Sequence, residues 1–401
     1  MISPATLFAS LGKLGAMGDS LTDEYSDMGF CAYAKNWPEL LVDYRGVDMG
    51  PTAAQAGVGT WGGPRNIGFQ YNWARGGANS ATLLTQGQHT GVAAQASSNG
   101  VGYAVLAIGP NDFNTGFQPG VWYGPYYNIY NGVWSAAQIQ SHVDQSISNV
   151  ETALAAVRAA GVSVVLVNVV DPGPTPAVAS GWTSVANRDR VTSAIRSVNA
   201  GLRSLAQKYQ VPLVDWFALE TAMLGPNTNL HSTLKVGNVT INLSASDPGP
   251  PNSRPTNAFI WDGFHPNTVL QGILANTILQ AFNSGYGAGV PLFSEQELLN
   301  QALIPYGGSD TLQAQIGSFT NYTVLPVLPR ITSLTAADTN VTLEFSTVSN
   351  QTYLVERRDD LAAGLWTTVS SNIIGTGGIV TLTNQVPANL PQQFYRVRQL
   401  P

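Results

Sequence analysis

The chain has 401 residues, enough to bury a sizeable core and, by length, to form two or three domains. Only 10% of the residues are charged, the formal net charge is -6 and no block of Lys or Arg occurs, which argues against nucleic acid as a partner because phosphate binding needs clustered cations. Cys31 is the single cysteine, so neither an intrachain disulfide nor a cysteine-built metal site can form, and a small buried hydrophobe is its expected role.

Leu11 to Met17 is a short apolar run that predicts a first strand, and it leads into a Gly-Asp-Ser-Leu turn carrying Ser20. Trp37 to Arg45 has helical spacing with Pro38 in its first turn. Pro51 to Gly68, rich in Gly, Pro and Thr, predicts a surface loop in which Trp61 either lines a cleft or packs under the loop itself. Asn72 to Ala74 is expected to end a second strand. Ser80 should open a helix whose first N–H groups lie near Gly77, an end suited to a developing oxyanion.

Tyr103 to Ile108, apolar on both faces, predicts a central parallel strand, and Asn111 follows on its exit loop, where taken alone it reads as a turn cap. The insertion from Phe113 to Trp134 is loaded with Trp, Tyr and Phe and is expected to overhang the site, offering flat faces to sugar rings or acyl chains; the alternative is a loop packed on itself. Gln138 to Ala160 predicts a long helix, Ser163 to Val170 a strand, Ser184 to Tyr209 a helix and Val211 to Val214 another strand. Five strands with intervening helices predict an α/β three-layer α/β/α sandwich on a parallel sheet, which binds ligands outside the carboxyl ends of its strands.

Gly225 to Asn257 is polar and Pro-rich, with a hairpin expected within Leu234 to Leu243, and should form a second wall of the cleft. Asp262 and His265 share one short loop, which Gly263 permits to turn tightly, before closing helices at Asn267 to Phe282 and Ser294 to Ile304. Pro326 and Pro329 bracket a linker. Beyond it, Ile331 to Val397 shows short alternating runs that predict a small antiparallel β-sandwich. The expected domains are therefore 1–325 and 330–401, the second a stabilising or spacer module, with carbohydrate binding as the alternative.

Four stretches stand out in order: GDSL around Ser20, NWARGGANS from Asn72, IGPNDF around Asn111 and DGFHPN from Asp262. Together they resemble the four sequence blocks of the SGNH (GDSL) hydrolases. The resemblance implies a flavodoxin-like catalytic domain with Ser20 as nucleophile, His265 as general base, Asp262 orienting the imidazole, and Gly77 and Asn111 completing an oxyanion hole. Gly76 and Gly77 are adjacent, and the family's usual spacing from Asn72 selects Gly77. The implied activity is cleavage of carboxylic esters through an acyl-enzyme, with no cofactor.

That family spans lipases, phospholipases, thioesterases and carbohydrate acetylesterases. The expected partner is a small-molecule or polysaccharide ester: loops that mix Trp and Tyr with Asn and Gln favour an acetylated polysaccharide esterase, with a lipolytic esterase as the second reading, since no continuous aliphatic lid is visible. A binding or adhesion protein on a retired hydrolase scaffold is the alternative of a different class. His89, His142, His231 and His265 form no HExxH or HxH pattern, so no metal is expected. No run long enough for a transmembrane helix occurs. A basic-then-apolar leader is not visible either, yet low charge and scarce Lys read as an exported protein from which a leader has been removed, with a cytoplasmic location as the alternative.

Overall fold

A computed structural model describes residues 11–400 except 30, 115–116, 119–120, 123, 338, 350, 362–364 and 387–391. The chain divides into two compact units, residues 1–203 with 211–325 and residues 204–210 with 326–401.

In the first unit the elements run β1 (Leu14–Gly18), α1 (Trp37–Arg45), α2 (Ser80–Thr85), α3 (Gln88–Asn99), β2 (Tyr103–Ala107), α4 (Pro125–Tyr130) and α5 (Ala136–Ala159). They continue through β3 (Ser163–Val167), α6 (Val185–Lys208, counted in this unit as far as Arg203), β4 (Leu213–Val214), α7 (Trp216–Leu224), β5 (Thr233–Val236), β6 (Val239–Ser246) and β7 (Asn257–Phe259) to α8 (Thr268–Tyr286), α9 (Glu295–Gln301) and β8 (Thr323–Val324). The main sheet has the order β1-β2-β3-β4-β8, parallel throughout except for the antiparallel edge strand β8.

Successive strand residues face opposite sides, so each strand feeds two cores. Ala16, Val105, Val165 and Val214 join one apolar cluster with Trp37 and Leu40 of α1 and Ile273 and Ile278 of α8. Gly15 faces the other way, where a Cβ would lie 3.1 Å from Val92 of α3, and α3 packs against α5. Helices thus cover both faces, which is the three-layer architecture, and β2 and β3 are buried along almost their whole length as inner parallel strands should be.

Five strands are present, but one is not the expected one. Asn72 to Ala74 makes no strand: a single bridge joins Asn72 to Ala16, and a second joins Asp48 to Lys13. Because Ala16 also pairs with Val105, the Asn72 bridge lies on the outer side of β1, where a flavodoxin-like order of 2-1-3-4-5 would put its second strand. That strand is reduced to isolated bridges, and the fifth place is taken by β8 at the opposite edge. The predicted hairpin is present as β5 and β6, and β7 joins β6 in parallel.

The second unit contains β9 (Ile331–Ala337), β10 (Asn340–Ser346), β11 (Thr352–Arg358), β12 (Thr367–Ile374), β13 (Ile379–Gln385) and β14 (Phe394–Leu400). They form two antiparallel sheets, β9-β10-β13 and β12-β11-β14. Val341, Leu343 and Phe345 alternate inward along β10 and meet Tyr353 and Val355 of β11, with the Phe345 and Tyr353 rings 6.1 Å apart.

Each unit has its own core, so a chain ending at Pro329 should unfold in one cooperative transition with its helical circular dichroism retained. A non-cooperative melt of that fragment would show that the second unit is required for the first to fold.

Candidate active site

Ser20 stands just beyond the carboxyl end of β1. The chain turns there because the Asp19 carbonyl accepts the N–H groups of Thr22 and Asp23, while the Asp19 carboxylate accepts that of Leu21 at 3.0 Å. Gly18 is needed at this approach: a Cβ would lie 2.4 Å from the Ala107 carbonyl of β2. The Gln88 side chain holds the Gly18 peptide from both sides, and Arg75 N–H donates to the Gly18 carbonyl, tying the Asn72–Ser80 segment to the serine turn.

The Asp262–His265 loop follows β7. Gly263, at φ 68°, allows the reversal, and the Asp262 carboxylate accepts the Phe264 and His265 N–H groups at 2.8 and 3.0 Å. His265 Nδ1 lies 2.6 Å from Asp262 Oδ2, and His265 Nε2 lies 2.7 Å from Ser20 Oγ. An ionised carboxylate only accepts, so Nδ1 carries the proton and Nε2 presents a lone pair to the serine O–H. Burial by itself would raise the Asp262 carboxyl, but the bond from His265, its charge and the two backbone donors outweigh it and hold the group below the usual carboxylate range. Tyr25 and Phe264 set ring edges against the imidazole, with centroids 6.4 and 5.2 Å away.

Two further segments converge on the serine. Asn111 is in a 3₁₀ turn beyond β2, and one Nδ2 hydrogen goes to the Ala78 carbonyl at 2.9 Å, leaving the second unused among the described residues. Gly76 N–H is taken by Asp23 Oδ2 at 2.7 Å, whereas Gly77, at φ 78°, and Ser20 spend their N–H groups on no acceptor among the described residues. Of the two adjacent glycines, the free donor is therefore on Gly77.

The first N–H of α2 is not free for a substrate. Ser80 N–H and Oγ–H both donate to the Asp112 carboxylate, the latter at 2.8 Å, and Asn149 of α5 donates to Ser80 Oγ at 3.0 Å. Asp112 thus bridges the Gly77 and Asn111 segments from behind, while its own carbonyl is 2.8 Å from His142 Nε2. Sequence reasoning gave no role to Tyr25 or to Asp112; for Asp112, an acidic residue directly after Asn111 within IGPNDF was the available signal.

The aromatic insertion does not behave as an overhang where it is described. Tyr126 and Tyr130 stack at 6.1 Å and pack on Trp182 at 5.1 and 4.8 Å, all three buried, so these rings turn inward against each other and against a residue beyond the insertion. The side chains of residues 115–123 lie outside the described residues. Trp61 likewise packs within its own loop, its indole N–H donating to the Gly68 carbonyl at 2.9 Å. Cys31 is buried. The 225–257 insertion supports the Asp262–His265 loop from below: Ser246 of β6 pairs with Phe259, and Asn267 donates to Asp247.

Asp23, Glu24 and Asp27 bring carboxylate oxygens within 4.8 Å of one another. Their lone pairs are committed to Gly76, Phe69, Ile67 and Asn66, and Arg75 supplies the positive charge at 3.2 Å from Asp27 and 3.5 Å from Asp23. These contacts make the cluster a clamp for two loops. Among the described residues no helix is long and apolar enough to cross a membrane.

Residues 14–278 match the family of GDSL-like lipases and acylhydrolases, and the chain belongs to that family. It is a carboxylic ester hydrolase. Among solved structures it is similar to the acetylxylan esterase Axe2 of Geobacillus stearothermophilus, at 15% identity over 71% of this chain and 97% of that one, with a TM-score of 0.38. It is also similar to a GDSL-like lipase of Bacteroides thetaiotaomicron, at 15% identity over 68% and 88%, with a TM-score of 0.36. A third likeness is to the psychrotrophic esterase EstA of a Pseudoalteromonas species, at 14% identity over 68% and 97%, with a TM-score of 0.33. No curated protein sequence matches it.

Burial pushes the carboxyls of Asp19 and Asp23 up to about 7 and that of Asp112 up to about 6. Unfolded aspartates ionise near about 3.9, so between these values the folded chain binds more protons and is favoured by acid. That stabilisation is complete below the unfolded value and is lost as pH rises through the folded ones. Asp262 acts oppositely, losing its contribution only in stronger acid. Tm should therefore climb as pH falls from 8 to 5, and Asp19→Asn, which keeps the acceptor for Leu21, should flatten that dependence and raise Tm at pH 8. A Tm that falls over this interval would contradict the assignment.

Proposed function

We propose that the protein hydrolyses short acyl esters through an acyl-enzyme on Ser20, with acetylated carbohydrate as the substrate class. The observation that carries this reading is the pair of hydrogen bonds from Ser20 to His265 and from His265 to Asp262, at 2.7 and 2.6 Å. A serine hydroxyl is a poor nucleophile until a base within hydrogen-bond reach removes its proton as it attacks.

In this mechanism His265 Nε2 takes the Ser20 proton while Oγ bonds to the ester carbonyl carbon. Asp262 steadies the imidazolium and stays ionised. The carbonyl oxygen, now negative, is met by Ser20 N–H, Gly77 N–H and the second Asn111 amide hydrogen, donors that meet no acceptor among the described residues. Collapse breaks the bond to the alcohol, which leaves with the proton from His265. Water then repeats the sequence on the acyl-serine.

Support for a carbohydrate alcohol comes from the rim. Trp261, directly before Asp262, is 54% exposed, and its backbone N–H donates to the Tyr33 hydroxyl; an exposed indole is the kind of flat apolar surface that sugar rings stack on. The low charge and scarce Lys support an exported setting, where such polymers are met.

Ser20→Ala should cut kcat by roughly 10⁴- to 10⁶-fold without unfolding the chain. A serine-reactive phosphonate should label Ser20 stoichiometrically, and acetate should be released from an acetylated oligosaccharide. Labelling of another serine, or activity retained in the variant, would refute the assignment.

Asn111→Ala should lower kcat by roughly 10²- to 10³-fold with KM nearly unchanged, since its amide is needed when charge develops on the oxygen. A raised KM with kcat intact would instead make Asn111 a ground-state binder.

A further inference from the structure

Beside the serine turn lies a cavity of about 50 Å³ that the mechanism does not use. Its walls include the immediate chain neighbours of three site residues: Leu21 follows Ser20, Pro110 precedes Asn111, and Phe264 and Pro266 flank His265. Met223 of α7 and Leu274 of α8 close it on the helical side. A packing defect elsewhere in the core would have no reason to be walled by all three catalytic segments.

The cavity is suited to carbon. Glu220 is the one ionisable group in its lining; its carboxyl accepts Asp171 N–H at 2.6 Å and is held well above the usual carboxylate range by burial, then by the nearby Asp171. The Thr175 hydroxyl is spent on the Pro172 carbonyl. What remains exposed to an occupant is uncharged and mostly hydrocarbon.

Geometry decides which part of an ester enters. The alcohol must leave where His265 Nε2 can return a proton, and the carbonyl oxygen must face Ser20, Gly77 and Asn111 N–H groups. The acyl substituent takes the remaining direction from a carbonyl carbon about 3 Å from Ser20 Oγ. An engineered cavity of about 150 Å³ accepts the six carbons of benzene, so a third of that volume has room for roughly two or three carbons.

We propose that this cavity is the acyl subsite and that it restricts the protein to short acyl groups, acetyl through butyryl, with Met223 and Leu274 setting the limit. The proposal rests on Ser20 being the nucleophile.

The test measures kcat/KM on the 4-nitrophenyl esters from acetate to octanoate, in parallel with phosphonate labelling of Ser20. The expected result is activity through butyrate and a fall of about tenfold or more by hexanoate, since surplus methylenes must displace packed walls. Met223→Ala, checked for folding by circular dichroism, should raise the hexanoate-to-acetate ratio about tenfold. Should that variant fail to fold, the wild-type profile decides alone. Labelled, active protein with a flat or rising profile to octanoate would overturn the subsite while leaving the serine mechanism standing. Absence of both label and hydrolysis would overturn the serine reading and the subsite with it.

Discussion

The contact between His265 and Ser20 joins positions 245 residues apart in the chain, and much of the first unit serves to make it. Neither residue reaches the other by local structure. Ser20 is placed by β1, whose partner β2 also delivers Asn111, so two of the converging segments are held by one ladder of parallel hydrogen bonds. His265 precedes α8, which packs on the same sheet face as α1. Tyr25 closes the circuit: its hydroxyl donates to the Pro266 carbonyl and accepts from Gln271 of α8, so the serine-turn segment grips both the histidine loop and the helix that follows it. An imidazole displaced by an ångström would leave the serine proton without an acceptor.

Around that contact the protein uses buried carboxylates as scaffolding. Asp19 shapes the serine turn, Asp23 holds the Gly76 peptide, Glu24 holds Phe69, and Asp112 bridges two loops through Ser80. Each carries a desolvation cost, visible as raised ionisation, and each satisfies backbone N–H groups in loops that have no ladder of their own. Loops built this way are rigid without regular structure. Within them the Gly76 N–H is held by Asp23, whereas the Gly77 N–H meets no acceptor among the described residues.

What the sequence revealed follows from what is local. The α1 helix has the expected limits because Pro38, the Asn36–Glu39 capping box and Gly46 all act within a few residues. Ser20 and Asn111 sit in short motifs that each predict a place just after a strand, and Asp262 and His265 in one that predicts a shared tight loop before a helix. Asp112 escaped notice because its partner Ser80 is 32 positions away, and in the sequence only the family's spacing separates Gly77 from Gly76, whereas in the structure Asp23 claims the Gly76 N–H. Aromatic content likewise says nothing about direction: Tyr126 and Tyr130 turn inward onto Trp182, a residue from a different segment. The sheet's fifth strand was misplaced since Asn72 to Ala74 looks extended, whereas Thr323–Val324 is too brief to register in any periodicity.

That brief strand has a practical bearing. The family match ends at residue 278, inside α8, yet the sheet is not sealed until β8 lays its two residues antiparallel against β4. A fragment cut where the family similarity stops would leave β4 as a bare border with unpaired N–H and C=O groups, a template for adding strands from other molecules. Residues 287–324, which the family pattern omits, thus complete the sheet, and fusion or truncation work on this protein has its natural boundary beyond Val324.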